Sequence, residues 1–546
     1  MIDDLGFHDL GFTGSGVATP TLDQLHNEGI ALSNYYVWTI CTPSRGAFLT
    51  GRYPFALGLQ GSRTIQPLET WGLPLNETTV AQFLDVKMEA RHIGKWHEGG
   101  SSWSQTPTYR GFSSSFGYLL GAEDYYTHEV LGYDMLRSST KNCGPTCSFS
   151  DRSVNGTYSA FVFAAEAQRV IEDYATRRAS GETSKDLFLY LAWQSVHAPV
   201  QAPDYYVEPY KHIFKDEIRQ VHAGMLAILD EGIANVTRAL AQAGILNQSV
   251  IITTTDNGGP SGTSCGDCNG ALNFPLRGGK HSLYQGGVRG TAFVWSEALY
   301  GTSPLGRTYN GLAHMSDWLP TMASWADITP QPLPGFELHG FDLSENLLAT
   351  ATGTGNSSSS PREYAILAIN PTCNGTAGIV TSDGWKLLLG DPGPPYGWDN
   401  STEVSVLGQD QSASLGGRGS IHQGGSSQLR VKMADMMMTK NQILNFSLSS
   451  KGPPGPMATC ADGSPTPPVV RLWPLLNETI AGLYYLPTDP REEMDLSEQF
   501  PDIVQRLRDL LEPWGRSKQI WPSQNATQDQ RGNPKLHKGN LVPWLD

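Results

Sequence analysis

Two short apolar runs that end on polar residues, with a long helical stretch between them, constrain the fold of this chain more than any other feature. Residues 187–193 read Leu-Phe-Leu-Tyr-Leu-Ala-Trp and lead to His197; residues 250–255 read Val-Ile-Ile-Thr-Thr-Thr and lead to Asp256 and Asn257. Runs this short, rich in β-branched and aromatic residues, predict buried strands. Between them Ile218, Val221, Met225, Ile228, Leu229, Ile233, Val236 and Leu240 recur at helical spacing and Gly244 stops the pattern, which predicts a helix over 216–243. Strand, helix, strand builds a parallel sheet covered by helices, and such sheets deliver functional groups at the carboxyl ends of their strands. Shorter helices are predicted at residues 21–27, behind Pro20, after Arg45, and at residues 315–326.

Residues 350–360, Thr-Ala-Thr-Gly-Thr-Gly-Asn-Ser-Ser-Ser-Ser, read as a flexible linker or loop tip. The predicted organisation is therefore a catalytic unit at 1–350, a linker or loop at 351–361 and a smaller C-terminal unit at 362–546. Within the latter, residues 385–389 read as a strand, 408–427 as a Gly/Ser-rich loop and 498–511 as an amphipathic helix. This unit holds no comparable concentration of His, Lys and Asp; its expected work is to pack on the larger unit and shape one wall of a cleft. Four methionines within residues 433–438 read as apolar filler rather than a metal site.

A net charge of −15 argues against nucleic acid as a partner, because phosphate backbones call for clustered Lys and Arg. No run of about 18 apolar residues occurs, so no membrane span is predicted. Asn-x-Ser/Thr triplets at Asn76, Asn155, Asn235, Asn247, Asn356, Asn374, Asn400, Asn445, Asn477 and Asn525 exceed chance and point to glycosylation in the secretory pathway. Setting Cys41 aside leaves Cys143, Cys147, Cys265, Cys268, Cys373 and Cys460, an even set that fits the same compartment and permits about 15 pairings. The pairs Cys143/Cys147, Cys265/Cys268 and Cys373/Cys460 are the first expectation; Cys265-Gly-Asp-Cys268 is also compatible with a redox or zinc half-site.

Chemistry-bearing residues recur in short motifs: Asp3-Asp4, Cys41-Thr42-Pro43-Ser44-Arg45, Gly94-Lys95-Trp96-His97, Ser195-Val196-His197-Ala198-Pro199, Asp256-Asn257-Gly258-Gly259 and Arg277-Gly278-Gly279-Lys280. Asp3, Asp4, Asp256 and Asn257 offer three carboxylates and one amide, the hard oxygens that calcium prefers. Each acidic motif alone reads as a turn; together at strand ends they read as a metal site. Lys95 and His97 stand two apart, which on a strand would aim both side chains to one side. His212, His222, His281, His314 and His339 share no motif and are read as structural or substrate-facing.

The order and rough spacing of these motifs over about residues 3–345 resemble the sulfatase family. The runs Tyr109-Arg110-Gly111-Phe112 and Gly286-Gly287-Val288-Arg289-Gly290 look most like its arylsulfatase B branch. The resemblance implies an α/β fold of the alkaline-phosphatase type, with a large, mixed, mostly parallel sheet between helices and a smaller C-terminal α+β domain. It implies that Cys41 is oxidised to formylglycine by a formylglycine-generating enzyme. The hydrated aldehyde offers one hydroxyl to attack sulfur and a second to expel sulfate afterwards. It further implies one calcium ion held by Asp3, Asp4, Asp256, Asn257 and the nucleophile at position 41. Arg45 would orient the nucleophile, Lys95 and His97 flank it with His97 as base, and Lys280 and His197 contact the sulfate with His197 as proton donor. The implied substrates are sulfated carbohydrates and aryl sulfates, and the implied location is lysosomal or secreted. Glu98 departs from the pattern, which has Leu there. The same scaffold hosts phosphoester hydrolases, usually with Ser or Thr nucleophiles and paired zinc ions, and could also persist as a non-catalytic glycan binder. Because only Met1 and Ile2 precede Asp3, the natural chain is expected to carry about 20–50 further residues, a signal segment and an apolar strand.

Overall fold

A computed structural model describes residues 1–60, 64–261, 267–301, 306–328, 337–370, 375–395, 479–515 and 528–545. The predicted strand, helix, strand unit is present as β6 (Asp186–Ala192), α4 (Glu217–Gln242) and β7 (Ile251–Thr254). Helix α4 is capped by Asp216, whose side chain accepts from the Arg219 amide at 2.7 Å, and it buries Met225, Leu226, Ile228 and Leu229. It packs beside α3 (Ser159–Ala179).

Two mixed sheets form the larger part. In one, β1 (Ile30–Tyr36) pairs in parallel with β9 (Arg307–His314) and antiparallel with β8 (Ala292–Trp295), which pairs with β7. In the other, β2 (Met88–Lys95) lies in parallel between β3 (Ser114–Tyr118) and β6, and β4 (Leu136–Ser138) and β5 (Ser148–Ser150) continue it antiparallel. Residues 1–3 lie between β6 and β7 and join the sheets. Met1 bonds Leu191 and Trp193, Ile2 donates to Thr254 at 2.8 Å and accepts from Asp256, and Asp3 bonds Ser195 and Val196 at 3.0 and 2.7 Å. Backbone pairing thus delivers Asp3 and Asp4 to the carboxyl ends of both strands.

Helix α1 (Pro20–Glu28) falls where residues 21–27 were predicted, with Pro at its first position. The helix expected after Arg45 starts earlier: α2 (Cys41–Thr50) opens on Cys41 itself, and Pro43 falls among the first-turn positions whose N–H has no helical partner. The 315–326 prediction splits into a 3-10 turn and α5 (Trp318–Trp325).

The C-terminal sheet, β10 (Tyr364–Asn370), β11 (Thr376–Thr381), β12 (Trp385–Leu389) and β13 (Ile480–Tyr485), is wholly antiparallel. It is covered by α7 (Pro501–Gly515), which starts three residues later than predicted, at Pro501. Its apolar core is continuous with Tyr36, Trp38, Tyr53, Phe55 and Leu283 of the larger part. The stretch read as a linker or loop tip lies against the larger part: Thr350 to Thr352 close α6 (Ser344–Thr352), and the Ser357 carbonyl accepts from Asn310 and Gly311 on β9 at 2.7 and 3.0 Å. Residues 528–545 run back across the larger part, donating from Asp529 to Leu68, from Leu541 to Tyr133 and from Trp544 to Ser101, each at 2.8 Å.

Cys143 and Cys147 are disulfide-bonded, and so is Cys268; Cys265, Cys373 and Cys460 lie outside the described residues, as do the 408–427 loop and the methionines of 433–438. No helix among the described residues is long and apolar enough to cross a membrane.

Candidate active site

The first turn of α2 carries Cys41, 2% exposed, and Arg45 one turn later on the same face. Burial pushes the Cys41 thiol up, Lys95 and Lys280 opposing and Asp3 and Asp256 reinforcing, so an unmodified sulfur here is a neutral thiol and a poor nucleophile. The Arg45 guanidinium donates twice to Asp256 Oδ2, at 3.0 and 2.8 Å, and lies 3.5 Å from Asp3. It ties the nucleophile's helix to the acidic cluster.

Lys95 ends β2 and reaches Asp3 Oδ2 at 2.7 Å, fully buried. His97 does not arrive by strand alternation, as its spacing from Lys95 predicted. The strand stops at Lys95 and His97 sits at φ 58°, its amide bonded to Leu119 O at 3.2 Å. A left-handed backbone at a non-glycine residue is held only when its surroundings enforce it, and such positions cluster at functional sites. The His97 ring contacts Ile65 O through Nε2 at 3.1 Å, which places the proton there and leaves Nδ1, buried and unpartnered, with the lone pair. Burial, Lys95 and Arg45 all lower its proton affinity. At Gly121 a Cβ would lie 2.5 Å from this ring, so glycine is required.

His197 follows β6. Its Nδ1 donates to Ala198 O at 2.6 Å, and Nε2 lies 3.3 Å from Lys280 Nζ and 3.5 Å from Asp4 Oδ2. Burial and Lys280 lower its proton affinity against the pull of Asp4 and Asp3. Lys280 donates to Asp4 Oδ2 at 2.8 Å and faces Asp267 at 3.4 Å; those carboxylates outweigh burial and hold its ammonium charged. Its loop is gripped from the C-terminal sheet, where Glu492 accepts from the Gln285 amide at 2.6 Å and pairs with buried Lys386 at 2.7 Å.

Asp256 and Asn257 extend β7. Asn257 Nδ2 donates to Asp4 Oδ1 at 2.7 Å, and Asp4 N to Asp256 Oδ1 at 3.4 Å. Burial and the neighbouring Asp3 push the Asp256 carboxyl up; at Asp3, Lys95, His197 and Arg45 outweigh burial and pull it down. Asp3 Oδ1 and Asn257 Oδ1 are buried without partners, and ligand atoms of Asp3, Cys41 and Asp256 all lie within 4.8 Å of one another. Orphaned hard oxygens among converging carboxylates fit a hard dication such as calcium.

All ten sequence-derived positions therefore converge. Sequence reading passed over Asp267, which faces both Lys280 and His281, and Asn269, which donates to Val196 O at 2.7 Å beside the His197 turn. Asp267 sits inside Cys265-Gly-Asp-Cys268, where the cysteines drew the reading. Glu98 is fully buried behind α2 where the family pattern has Leu, and burial raises its carboxyl well above the usual range against the pull of Arg45 and Arg110.

Fixed cations and carboxylates around one buried residue at a helix start, at the carboxyl ends of sheet strands, define a hydrolase for esters of an inorganic oxyanion. The sulfatase family model matches residues 1–328. Over its full length the chain is 33% identical to arylsulfatase J of Mus musculus, spanning 79% of that protein. Among solved structures, Ps i-CgsB is similar with a TM-score of 0.67, at 21% identity over 98% of this chain and 96% of that one. A protein solved with its substrate D-glucosamine-2-N,6-O-disulfate is similar with a TM-score of 0.57, at 14% identity over 95% of this chain and 97% of that one. The chain belongs to the sulfatase family and is a sulfuric ester hydrolase.

Proposed function

We propose that the enzyme removes sulfate from a sulfated sugar, with formylglycine at position 41 and one calcium ion held by Asp3, Asp4, Asp256 and Asn257. The observation that carries this reading is the pair of buried, unpartnered oxygens on Asp3 and Asn257, with ligand atoms of Asp3 and Asp256 gathered around Cys41. Formylglycine at position 41, as a geminal diol, would offer one hydroxyl to attack sulfur and a second whose deprotonation would expel sulfate and restore the aldehyde, and a calcium ion held by these oxygens would supply the Lewis acidity that favours both. Lys95 and Lys280 present fixed ammonium groups to the anion. An arriving sulfate ester adds negative charge beside His197 Nε2 and favours its protonated form, which then donates to the leaving sugar oxygen. Lone-pair-bearing Nδ1 of His97 is the base that takes the proton of the second hydroxyl.

The secretory route, with its formylglycine-generating enzyme, is proposed on the exposed sequons Asn76, Asn155, Asn247 and Asn356 and the Cys143–Cys147 bond. The sugar is proposed as an N-acetylgalactosamine 4-sulfate or a related polysaccharide sulfate, on the arylsulfatase resemblance.

Mass spectrometry of the tryptic peptide spanning residue 41 tests the nucleophile: conversion lowers its mass by about 18 Da. Chelation followed by calcium should abolish and then restore hydrolysis of p-nitrophenyl sulfate. An unconverted thiol in fully active enzyme, or activity indifferent to chelation, refutes the scheme.

A further inference from the structure

His281 follows Lys280 in sequence, and its sequence context leaves open whether it is structural or substrate-facing. It is held at φ 72°, in the left-handed region that a histidine occupies only under constraint. Its amide donates to Thr39 O at 2.8 Å, two residues before the nucleophile, and Gly393 of the loop after β12 packs on its carbonyl, where a Cβ would come within 2.5 Å. The turn is thus clamped between the start of α2 and the C-terminal sheet.

The ring itself is tied to the reaction centre by one carboxylate. Asp267 Oδ2 lies 3.2 Å from His281 Nε2 and 3.4 Å from Lys280 Nζ. The Lys280 side chain is 3% exposed and that of Asp267 6%, whereas His281 is 38% exposed. His281 is therefore the solvent-facing edge of a cluster whose inner members face the sulfate. Its Nε2 faces Asp267 Oδ2, so in the neutral tautomer that donates to this carboxylate Nδ1 carries the lone pair, and no described residue bonds that atom.

We propose that His281 is a specificity-determining residue: Nδ1 accepts a hydrogen bond from a hydroxyl or amide N–H on the sugar ring that carries the sulfate. The inference rests on the proposed sulfated-sugar reading and deepens it. An aryl sulfate offers no such donor next to the ester, so His281 separates the two substrate classes, while the charges on Lys95 and Lys280 act on both. A site built to bond a substrate hydroxyl discriminates strongly against an analogue that lacks it.

Specificity constants for N-acetylgalactosamine 4-sulfate and p-nitrophenyl sulfate are measured on the wild-type enzyme, on His281→Gly and on His281→Asn. Glycine removes the ring without straining the positive φ; asparagine tolerates that backbone and keeps a short acceptor. The ratio of the sugar to the aryl constant is expected to fall about tenfold or more in His281→Gly, mostly through KM, and to recover in part in His281→Asn. Taking the ratio cancels any damage passed through Asp267 to Lys280. A ratio unchanged in His281→Gly overturns the assignment. Wild-type enzyme that cleaves the aryl sulfate but not the sugar overturns it together with the proposed substrate class, and leaves the catalytic site standing.

Discussion

Cys41 occupies a position where a thiol is least reactive: buried, neutral and faced by two carboxylates. That environment suits an oxygen nucleophile clamped between cations. Cys41→Ser is accordingly expected to fold and to accept sulfate without releasing it, because a lone alcohol lacks the second hydroxyl; intact mass after incubation with substrate should show a persistent sulfate adduct, and sustained turnover would refute this. Lys280→Ala removes an ammonium whose charge Asp4 and Asp267 maintain. Its kcat/KM on p-nitrophenyl sulfate should fall roughly 10²-fold or more.

At the scale of elements, the site depends on turns fastened from outside it. Asp9 pins the segment after Asp3 and Asp4 by accepting from Gly6 at 2.7 Å and Leu272 at 3.0 Å, and it pairs with Arg219 and His222 of α4. Burial alone would raise its carboxyl, but Arg219 and His222 outweigh burial and hold it well below the usual carboxylate range. A carboxylate depressed in the folded chain contributes stability that is present above its unfolded value near about 4 and lost as pH falls toward the folded one. Asp9→Asn should cost about 3–5 kcal/mol at pH 7, by analogy with breaking a buried pair. Urea titrations at several pH values should show that gap narrowing only below about pH 4; a gap constant down to pH 2 would contradict the assignment. Residues 528–545 bond Leu68 and Ser101, which lie on the two loops that frame His97. Deleting them should lower kcat about tenfold or more through misplacement of that ring, with the circular dichroism of the remainder retained; unchanged kcat would show that the strap holds nothing catalytic.

The whole molecule is joined by a buried network at the junction of its parts. Arg362, just ahead of β10, bonds Asp317 ahead of α5, Tyr53 OH at 2.7 Å and His339 O at 3.0 Å. Around it the C-terminal sheet shares one apolar core with Tyr36, Tyr53 and Phe55. Arg362→Ala strands a buried carboxylate and should destabilise by about 3–5 kcal/mol. Because the core is shared, calorimetry should show the larger part and the C-terminal sheet unfolding in one transition, in wild type and variant alike; two resolved transitions would mean that the junction couples them weakly.

By itself the sequence determined the strand, helix, strand unit around α4, because apolar periodicity and the stop at Gly244 are local signals. It also showed His197, Asp256 and Asn257 just past strand-like runs, whereas the grouping of the other site residues with them rested on the resemblance of the motifs to the sulfatase family. Only the tertiary structure decided how they meet. His97 comes in by a left-handed turn that needs Gly121 opposite and the Ile65 carbonyl behind, and the loop after Lys280 is held at the Gln285 amide by Glu492, a residue from the other end of the chain. Asp267 stands inside a cysteine motif that says nothing of its partner and His281 shares no motif, and their pairing exists only because two loops close on one another. The docking of residues 350–360 on β9 was equally invisible, because a Ser-rich composition says that a segment lacks a core of its own and nothing about the backbone partners waiting for it. Local propensity acts over a few residues, whereas burial, shared carboxylates and backbone pairing act between segments hundreds of residues apart, and only the folded chain brings those together.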